Sequence, residues 1–302
     1  MTGFQHLAVD TAEGPHVTLL AGVEMAGCYW ATTSSSAAKV RMIRSNGLAA
    51  VLDAPGDPFD RAGWTLIAGR ATILDTKRPC DWLVDPLAAS LAGIAVARIG
   101  LSNIEQLIGY LHDRDDVPSR WQPTSRVLVV VHGNHRLAVR AGRIVEATGA
   151  FAGSAPLPLP TRRRRHRLDR SHLAGLSSQQ MAVVRRSGRC ALGLSTAAGP
   201  IVVPGMWDAN GGTVRLDRRI LTHLRADLPG ECSVTLDESA DARPSRKVGV
   251  MLRGRASLLD DGGTADQNTE TDAAEHDSVV LTIKVERLTS WEGFATSTAS
   301  AS

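Results

Sequence analysis

Thr32, Thr33, Ser34 and Ser36 stand just ahead of a short segment that carries Lys39 and Arg41. Hydroxyl donors beside cations at the start of a helix meet the needs of a phosphate group. The plainer alternatives are a helix cap for each hydroxyl and a solvated helix lysine for Lys39. A second basic segment holds Arg218, Arg219, His223 and Arg225. A histidine in such a place can donate to phosphate, although imidazoles are mostly uncharged near neutral pH. His132-Gly-Asn-His135 brings two imidazoles together with no third ligand nearby, which predicts a solvated turn rather than a metal site. Cys28, Cys80, Cys190 and Cys232 are far apart, so neither zinc nor a disulfide framework is indicated, and free thiols in a reducing cytoplasm are expected. No nucleophile elbow, Walker A loop or HExxH sequence is present, leaving hydrolase and nucleoside-triphosphatase readings without support. The run Arg162 to Arg167 has no interleaved aromatics and predicts a solvated linker ahead of an RNA grip.

The chain that must position these groups has 302 residues, enough for two domains. A net charge of +3 argues against a dedicated nucleic-acid binder. Neither a secretory signal nor a membrane span is expected. The longest apolar stretch, Pro86 to Leu101, contains Arg98 and falls short of the roughly 20 residues a span needs. A soluble, cytoplasmic protein is the expectation.

An internal repeat sets the architecture. Leu7 to Val17 is echoed by Leu192 to Val202, with Thr11 matching Thr196 and Gly14-Pro15 matching Gly199-Pro200. Gly69-Arg70-Ala71 recurs as Gly254-Arg255-Ala256 at the same offset. Each copy predicts β hairpins, because Val-, Leu-, Ile- and Thr-rich runs flank turn residues such as Asn210-Gly211-Gly212. In the first copy a helix is expected over 36–45, strands over 48–52 and 64–74, and a closing strand over 126–131. The second closes over 278–285. Short strands of this kind indicate a small closed barrel. A helical insert at about 83–120 carries Ser102-Asn-Ile-Glu105 as a capping box and Ile104, Leu107, Ile108 and Leu111 as one apolar stripe. Ser177-Ser-Gln-Gln180 is a second capping box, and 260–277 looks like a solvated loop. The domains expected are 1–149, a Pro/Arg-rich linker at 150–170 that does not pack, and 171–302 with a disordered tail.

This ordering resembles the pyridoxamine 5′-phosphate oxidase-like family of FMN-binding split barrels. The residues that carry the likeness are Thr11 with Gly14-Pro15, Thr32 to Ser36, Lys39-Val-Arg41, Asn46 and Gly69-Arg70-Ala71. In the second copy they are Thr196, Gly199-Pro200, Val203-Pro204, Trp207, Gly254-Arg255-Ala256 and Val285 to Gly293. The resemblance implies a mainly β fold with flanking helices, two tandem split barrels that form a pseudo-dimer within one chain. It also implies FMN or the related deazaflavin coenzyme at the barrel interface, with haem in some relatives. Lys39 falls where the family's phosphate-binding lysine lies, and Thr32, Thr33, Ser34, Ser36 and Arg41 surround it. In the second copy His223 replaces that lysine, with Arg218 nearby, so the two sites are not expected to be equivalent. By the same resemblance Val17 to Leu20 and Val202, Val203 and Pro204 lie against the flavin ring, where a cofactor needs backbone donors and an apolar wall. Ordinary barrel core is the alternative, and for Trp207 filling is preferred over stacking. The implied activity is a flavin- or deazaflavin-dependent oxidoreductase acting on a small molecule. A non-catalytic split barrel binding a cofactor or haem, or an interaction module, is the second expectation. The assembly expected is a monomer with paired barrels or a homodimer.

Overall fold

The computed structural model describes residues 4–54, 59, 61–119, 122, 125–160, 168, 173–237, 243–259 and 278–300. The first half runs β1 (Phe4–Val9), β2 (His16–Leu19), β3 (Gly22–Met25), β4 (Cys28–Ser34), α1 (Ala38–Asn46), β5 (Leu48–Ala54) and β6 (Trp64–Leu74). It continues with α2 (Pro79–Val84), α3 (Pro86–Ser102), α4 (Ile104–His112), β7 (Arg126–His132), β8 (His135–Arg140) and β9 (Arg143–Thr148). The second half runs α5 (Ser178–Arg185), β10 (Gly188–Thr196), β11 (Gly199–Asp208), β12 (Thr213–Asp217), α6 (Arg218–Leu224), β13 (Gly230–Asp237), β14 (Val248–Leu258), β15 (Ser278–Glu292) and β16 (Ala295–Ser300).

Every strand pairing is antiparallel, and both halves close into barrels. In the second, β11, β10, β13, β14 and β15 pair in turn, and β12 joins β11 to β15 to complete the ring. In the first the order is β2-β1-β5-β6-β7-β4-β3. Only Leu20 and Ala21 separate β2 from β3, so these act as one interrupted strand that closes the circle. Gln5 staples the break, accepting the Leu20 N–H on its carbonyl at 3.0 Å and the Gly22 N–H on its side chain at 3.1 Å. The long strand β15 does the work of β7 and β8 together, and β16 that of β9. The fold is therefore mainly β, two split barrels on one chain.

The strands read as nearly continuous apolar runs because both of their faces are covered. Along β1 and β5, Leu7, Val9, Ala49 and Val51 point into the first barrel, where Val40 and Ile43 of α1 plug one end. The alternate residues Ala8, Ala50 and Leu52 join a core shared with Val202, Val203, Val234 and Leu252 of the second barrel. Period-two alternation thus builds one barrel interior and one interface from the same strands. Polar contacts cross that interface as well. The Thr235 hydroxyl donates to the Val17 carbonyl at 3.2 Å, and His6 Nε2 lies 3.0 Å from Asp237 Oδ2, both side chains almost wholly buried.

The repeated glycine motifs are structural. A side chain on Gly14 would lie 2.5 Å from the Glu231 Cβ, and one on Gly199 would press on Leu48 at 3.2 Å, so each Gly-Pro turn sits where its barrel meets the other. The Gly69 and Gly254 positions run into carbonyls of the next strand at 2.3 and 1.9 Å, which explains the glycine of each Gly-Arg-Ala. Thr11 and Thr196 hold the same turns, their hydroxyls donating to the carbonyls of Gly14 and Gly199 at 2.6 and 2.8 Å.

Several expectations change. Helix α1 starts at Ala38 behind an Ala37 cap without a side-chain bond, and Thr32 to Ser34 belong to β4 rather than to a turn. The Ser102 capping box does not form, because Ser102 ends α3 and Asn103 precedes α4. The Ser177 box forms in full. Helix α3 packs Ala88, Ala92, Ala95 and Ile99 onto Trp30, Leu74 and Val130, whereas Ile104, Leu107, Ile108 and Leu111 of α4 are about half exposed. The end of the chain through Ser300 is a strand paired with β15, not a disordered tail. The segment 150–170, expected not to pack, contains Phe151, which is 1% exposed. Trp207 fills space and donates to the Val184 carbonyl at 3.0 Å. Arg162 to Arg167 and 260–277 lie outside the described residues.

Candidate functional site

A cleft between the barrels gathers cations from both. From the first come His16 on β2, Lys39 in the first turn of α1 and Arg126 at the start of β7. From the second come Arg253 and Arg287, cross-strand partners on β14 and β15. Their anion is Glu13, on the turn between β1 and β2. Its Oε2 lies 3.3 Å from the Arg253 Nη1 and also contacts the Arg287 Nη1.

Mutual repulsion and burial mark the electrostatics. Burial first, then the fields of Lys39 and Arg253, hold the His16 imidazole down at about 4, so it is neutral at pH 7. Burial and the nearby Arg126 lower Lys39 to about 8. Burial also lowers the Arg253 guanidinium, with Glu13 pulling it back up and Arg287 pushing it further down. Such a concentration of weakly compensated positive charge favours an anion. Three buried polar atoms here have no protein partner among the described residues: Nδ1 of His16 and Nε of both Arg253 and Arg287. Buried polar atoms are almost always paired, with protein, water or a ligand.

The sequence-selected residues divide. Lys39 is in the cleft, its Nζ donating to the Leu19 carbonyl at 3.3 Å. Thr32 accepts on Oγ1 from Arg126 at 3.1 and 3.3 Å, which positions that guanidinium near Lys39. Thr33 and Ser34 are buried in β4, and Ser34 bonds Ser36 at 2.9 Å. Arg41 is exposed and donates to the Ser36 carbonyl at 3.3 Å. Val202, Val203 and Pro204 are buried in the shared core, and Val17 lies against Gly193 and Ser233. His223 is in the other cleft, whereas Arg218 is exposed at the start of α6 and does not line it. Sequence reasoning missed His16, Arg126, Arg253 and Arg287. For Arg253 a signal existed: it is the one residue next to the Gly-Arg-Ala motif whose counterpart, Ala68, has no charge.

The second cleft is built from the corresponding elements and is closed. His223, expected at the counterpart of Lys39, lies instead in the last turn of α6, whereas Lys39 is in the first turn of α1. His135, cross-strand from Ala68, takes the place of Arg287. Between the two histidines sits Phe151, with its carbonyl 2.9 Å from His223 Nδ1 and its ring 6.0 Å from the His135 ring, edge to face. The Ala150 N–H donates to His135 Nδ1 at 3.1 Å, and the Ala155 N–H to the Thr222 carbonyl at 2.9 Å. Outside this plug runs a groove of about 420 Å³ lined by Arg143, Ser154, Asp217, Arg219 and His223. His132 and His135, expected in a solvated turn, both have partners and diverge. No metal-ligating cluster exists among the described residues.

Solved structures similar to this chain include split-barrel proteins. The likeness is to the pyridoxamine 5′-phosphate oxidase-like family. An FMN-binding, pyridoxamine 5′-phosphate oxidase-related protein from Nostoc punctiforme is 14% identical over 45% of this chain and 73% of its own, with a TM-score of 0.30. A Clostridium acetobutylicum protein related to general stress protein 26, of the pyridoxinephosphate oxidase family, is 13% identical over 47% and 82%, with a TM-score of 0.29. A haem-binding protein from Mycobacterium smegmatis is 19% identical over 41% of this chain, with a TM-score of 0.31, and the match spans 58% of that protein. At these TM-scores none of them carries an argument about what this chain binds or does. No family model and no curated protein matches the chain. Among the described residues no helix is long and apolar enough to cross a membrane.

Proposed function

We propose that the chain binds a phosphate-bearing redox cofactor, FMN or the deazaflavin coenzyme, in the cationic cleft, and that it acts as an oxidoreductase on a small molecule. One observation carries the reading: His16, Lys39, Arg253 and Arg287 converge from both barrels on a place where three buried polar atoms lack partners among the described residues. When bound, such a cofactor supplies hydride chemistry. The residues supply the rest. Lys39 and the uncapped start of α1 take the phosphate, and Arg126, fixed by Thr32, adds to the field that holds it. Arg253 and Arg287 offer their unpaired Nε–H groups from the opposite wall, while neutral His16 accepts or donates at Nδ1. The apolar interface around Val17 keeps water out of the inner end. Because one chain provides both walls, a monomer suffices.

The test is equilibrium titration of the purified protein with FMN and with the deazaflavin coenzyme. Micromolar binding at one per chain, weakened by Lys39→Ala and by Arg253→Ala, supports the reading. Absence of binding by either ligand sinks it. Haem in a non-catalytic role is the second reading, favoured by the unpaired imidazole nitrogen of His16 among cations that suit propionates. A haem absorption band lost in His16→Ala, with no flavin binding, would move the conclusion there.

A further inference from the structure

Away from the cationic cleft, three side chains from separate elements form a second constellation. Cys28 opens β4, His132 closes β7, and Asp85 stands between α2 and α3. The first two are cross-strand partners. The Cys28 Sγ lies 3.4 Å from His132 Nδ1, and His132 Nε2 lies 2.8 Å from Asp85 Oδ2. Asp85 is itself fixed: its Oδ1 accepts the Ala88 N–H at 3.0 Å as the cap of α3, and its Oδ2 accepts the Thr72 hydroxyl at 3.4 Å. A carboxylate only accepts, so Nε2 carries the ring proton and Nδ1 is left to accept the thiol S–H. Nucleophile, base and orienting acid are thus in line. The arrangement is linear, with both ring nitrogens engaged, so the three groups do not converge on a metal. Burial and the Asp85 charge raise the Cys28 thiol, which keeps the resting sulfur protonated. The nucleophile is then generated during the reaction, by transfer of the thiol proton to His132.

We propose that Cys28, His132 and Asp85 form a nucleophilic thiol site that accepts an acyl group from an apolar thioester or activated ester. Sulfur attacks the carbonyl carbon as Nδ1 takes the thiol proton. The new S–C bond forms, the bond to the leaving thiolate or alkoxide breaks, and His132 returns the proton to that leaving group. The products are an acylated Cys28 and a free thiol or alcohol, with no oxidant or reductant required. Access and specificity follow from the surroundings. His132 is about a third exposed, Gly133 and Asn134 are exposed, and the Gly27 position beside Cys28 opens on free space. Cys28 packs at the edge of an apolar cluster with Val23, Met25, Trp82 and Leu91. Leu83, Val84 and Leu87 flank Asp85 at 80, 61 and 73% exposure, an open apolar wall for an acyl chain.

Exposed Cys80 is an internal reference within the same molecule. The protein is incubated at pH 7 with p-nitrophenyl butyrate, and acylation of each cysteine is followed by peptide mass. Cys28 is expected to react roughly tenfold or more faster than Cys80, the low end of what general-base assistance provides. The ratio is expected to collapse in His132→Gln, with circular dichroism and cofactor-cleft binding unchanged. A ratio at or below one in the wild type overturns the proposal, as does a ratio unaffected by His132→Gln. If that variant does not fold, the wild-type pH profile decides. A Cys28 acylation rate that bends at a lower pH than that of Cys80 supports the site, because a positioned base rather than free thiolate then carries the reaction. Parallel profiles overturn it.

Discussion

In one cleft between the barrels Lys39, Arg253 and Arg287 face each other. At the places of Arg253 and Arg287 in the other stand Ala68 and His135, with Phe151 wedged between His135 and His223 of α6. The strands around both clefts pair in the same order, so the scaffold does not account for the difference. Two substitutions, the loss of the helix lysine and a short turn do. A pair of identical chains related by a two-fold axis would carry two identical clefts. Joining both barrels in one chain frees the second cleft to become packing, and the hydrophobic residue that fills it ties the first barrel's last hairpin to the second barrel's helix. On the proposed function, binding and stability would then fall on opposite sides of one interface.

The largest expected effect tests the sealed side. Phe151 is 1% exposed in the shared core, and Phe151→Ala should cost about 3–5 kcal/mol in urea unfolding. Cofactor stoichiometry should stay at one per chain, because emptying the cleft adds no cation to it. A second equivalent of FMN bound by Phe151→Ala would mean that the plug, and not the lost charges, is what separates the two clefts.

Next comes Lys39. Removing one charge-assisted contact to a phosphate should cost about 1.5–3 kcal/mol, a ten- to hundredfold rise in Kd. His223→Ala should leave Kd unchanged, and equal effects from the two variants would end the distinction between the clefts. Because Lys39 is held at about 8, its charge is lost as pH rises through that value. Wild-type affinity should therefore fall above pH 8, whereas Lys39→Arg should hold its affinity to higher pH.

His16 gives a smaller effect, on stability. Its folded value of about 4 lies below the unfolded 6.5, so the unfolded chain takes up the proton first. The contribution of neutral His16 is complete above pH 6.5 and is lost as pH falls from 6.5 toward 4. For a half-buried group this amounts to no more than about 2 kcal/mol. Chemical denaturation at pH 7 and pH 4.5 should show a steeper loss in wild type than in His16→Gln. A bound phosphate should offset part of that loss, since it favours the imidazolium. Equal slopes would place His16 outside the cationic field.

The barrels were legible because both faces of most strands are covered, which leaves apolar runs between turn residues, and because Gly14-Pro15 and Gly69-Arg70-Ala71 recur. Those motifs mark close approaches of backbone and report nothing about chemistry. The cleft was legible only at Lys39, which a short helix places beside hydroxyls. Arg253 and Arg287 lie far from Lys39 in sequence and meet it only after two barrels pair, and His16 sits among apolar strand residues with no distinguishing spacing. Helix periodicity misled at Ile104, Leu107, Ile108 and Leu111: the stripe exists, but α4 leaves it largely open because α3 takes the contact with the barrel. Cys28, Asp85 and His132 are equally distant in sequence, and only the β4–β7 register and the cap of α3 bring them into line.

Glu13 has the smallest expected effect and sharpens the comparison most. Its counterpart on the other turn is Ala198, so that turn brings no carboxylate to the second cleft. With Oε2 on both Arg253 and Arg287, it stands where an anionic ligand group would be received. It is 56% exposed, so the ion pairs are screened and removing them should change stability by less than about 1 kcal/mol. For binding the sign reverses: a ligand no longer has to displace a carboxylate, and Glu13→Gln should tighten the FMN Kd by roughly two- to fivefold. The gain should shrink as salt rises from 50 to about 500 mM, because exposed charges are screened over a shorter distance there. If Glu13→Gln instead weakens binding at low salt, the carboxylate orients the two guanidiniums for the ligand rather than competing with it.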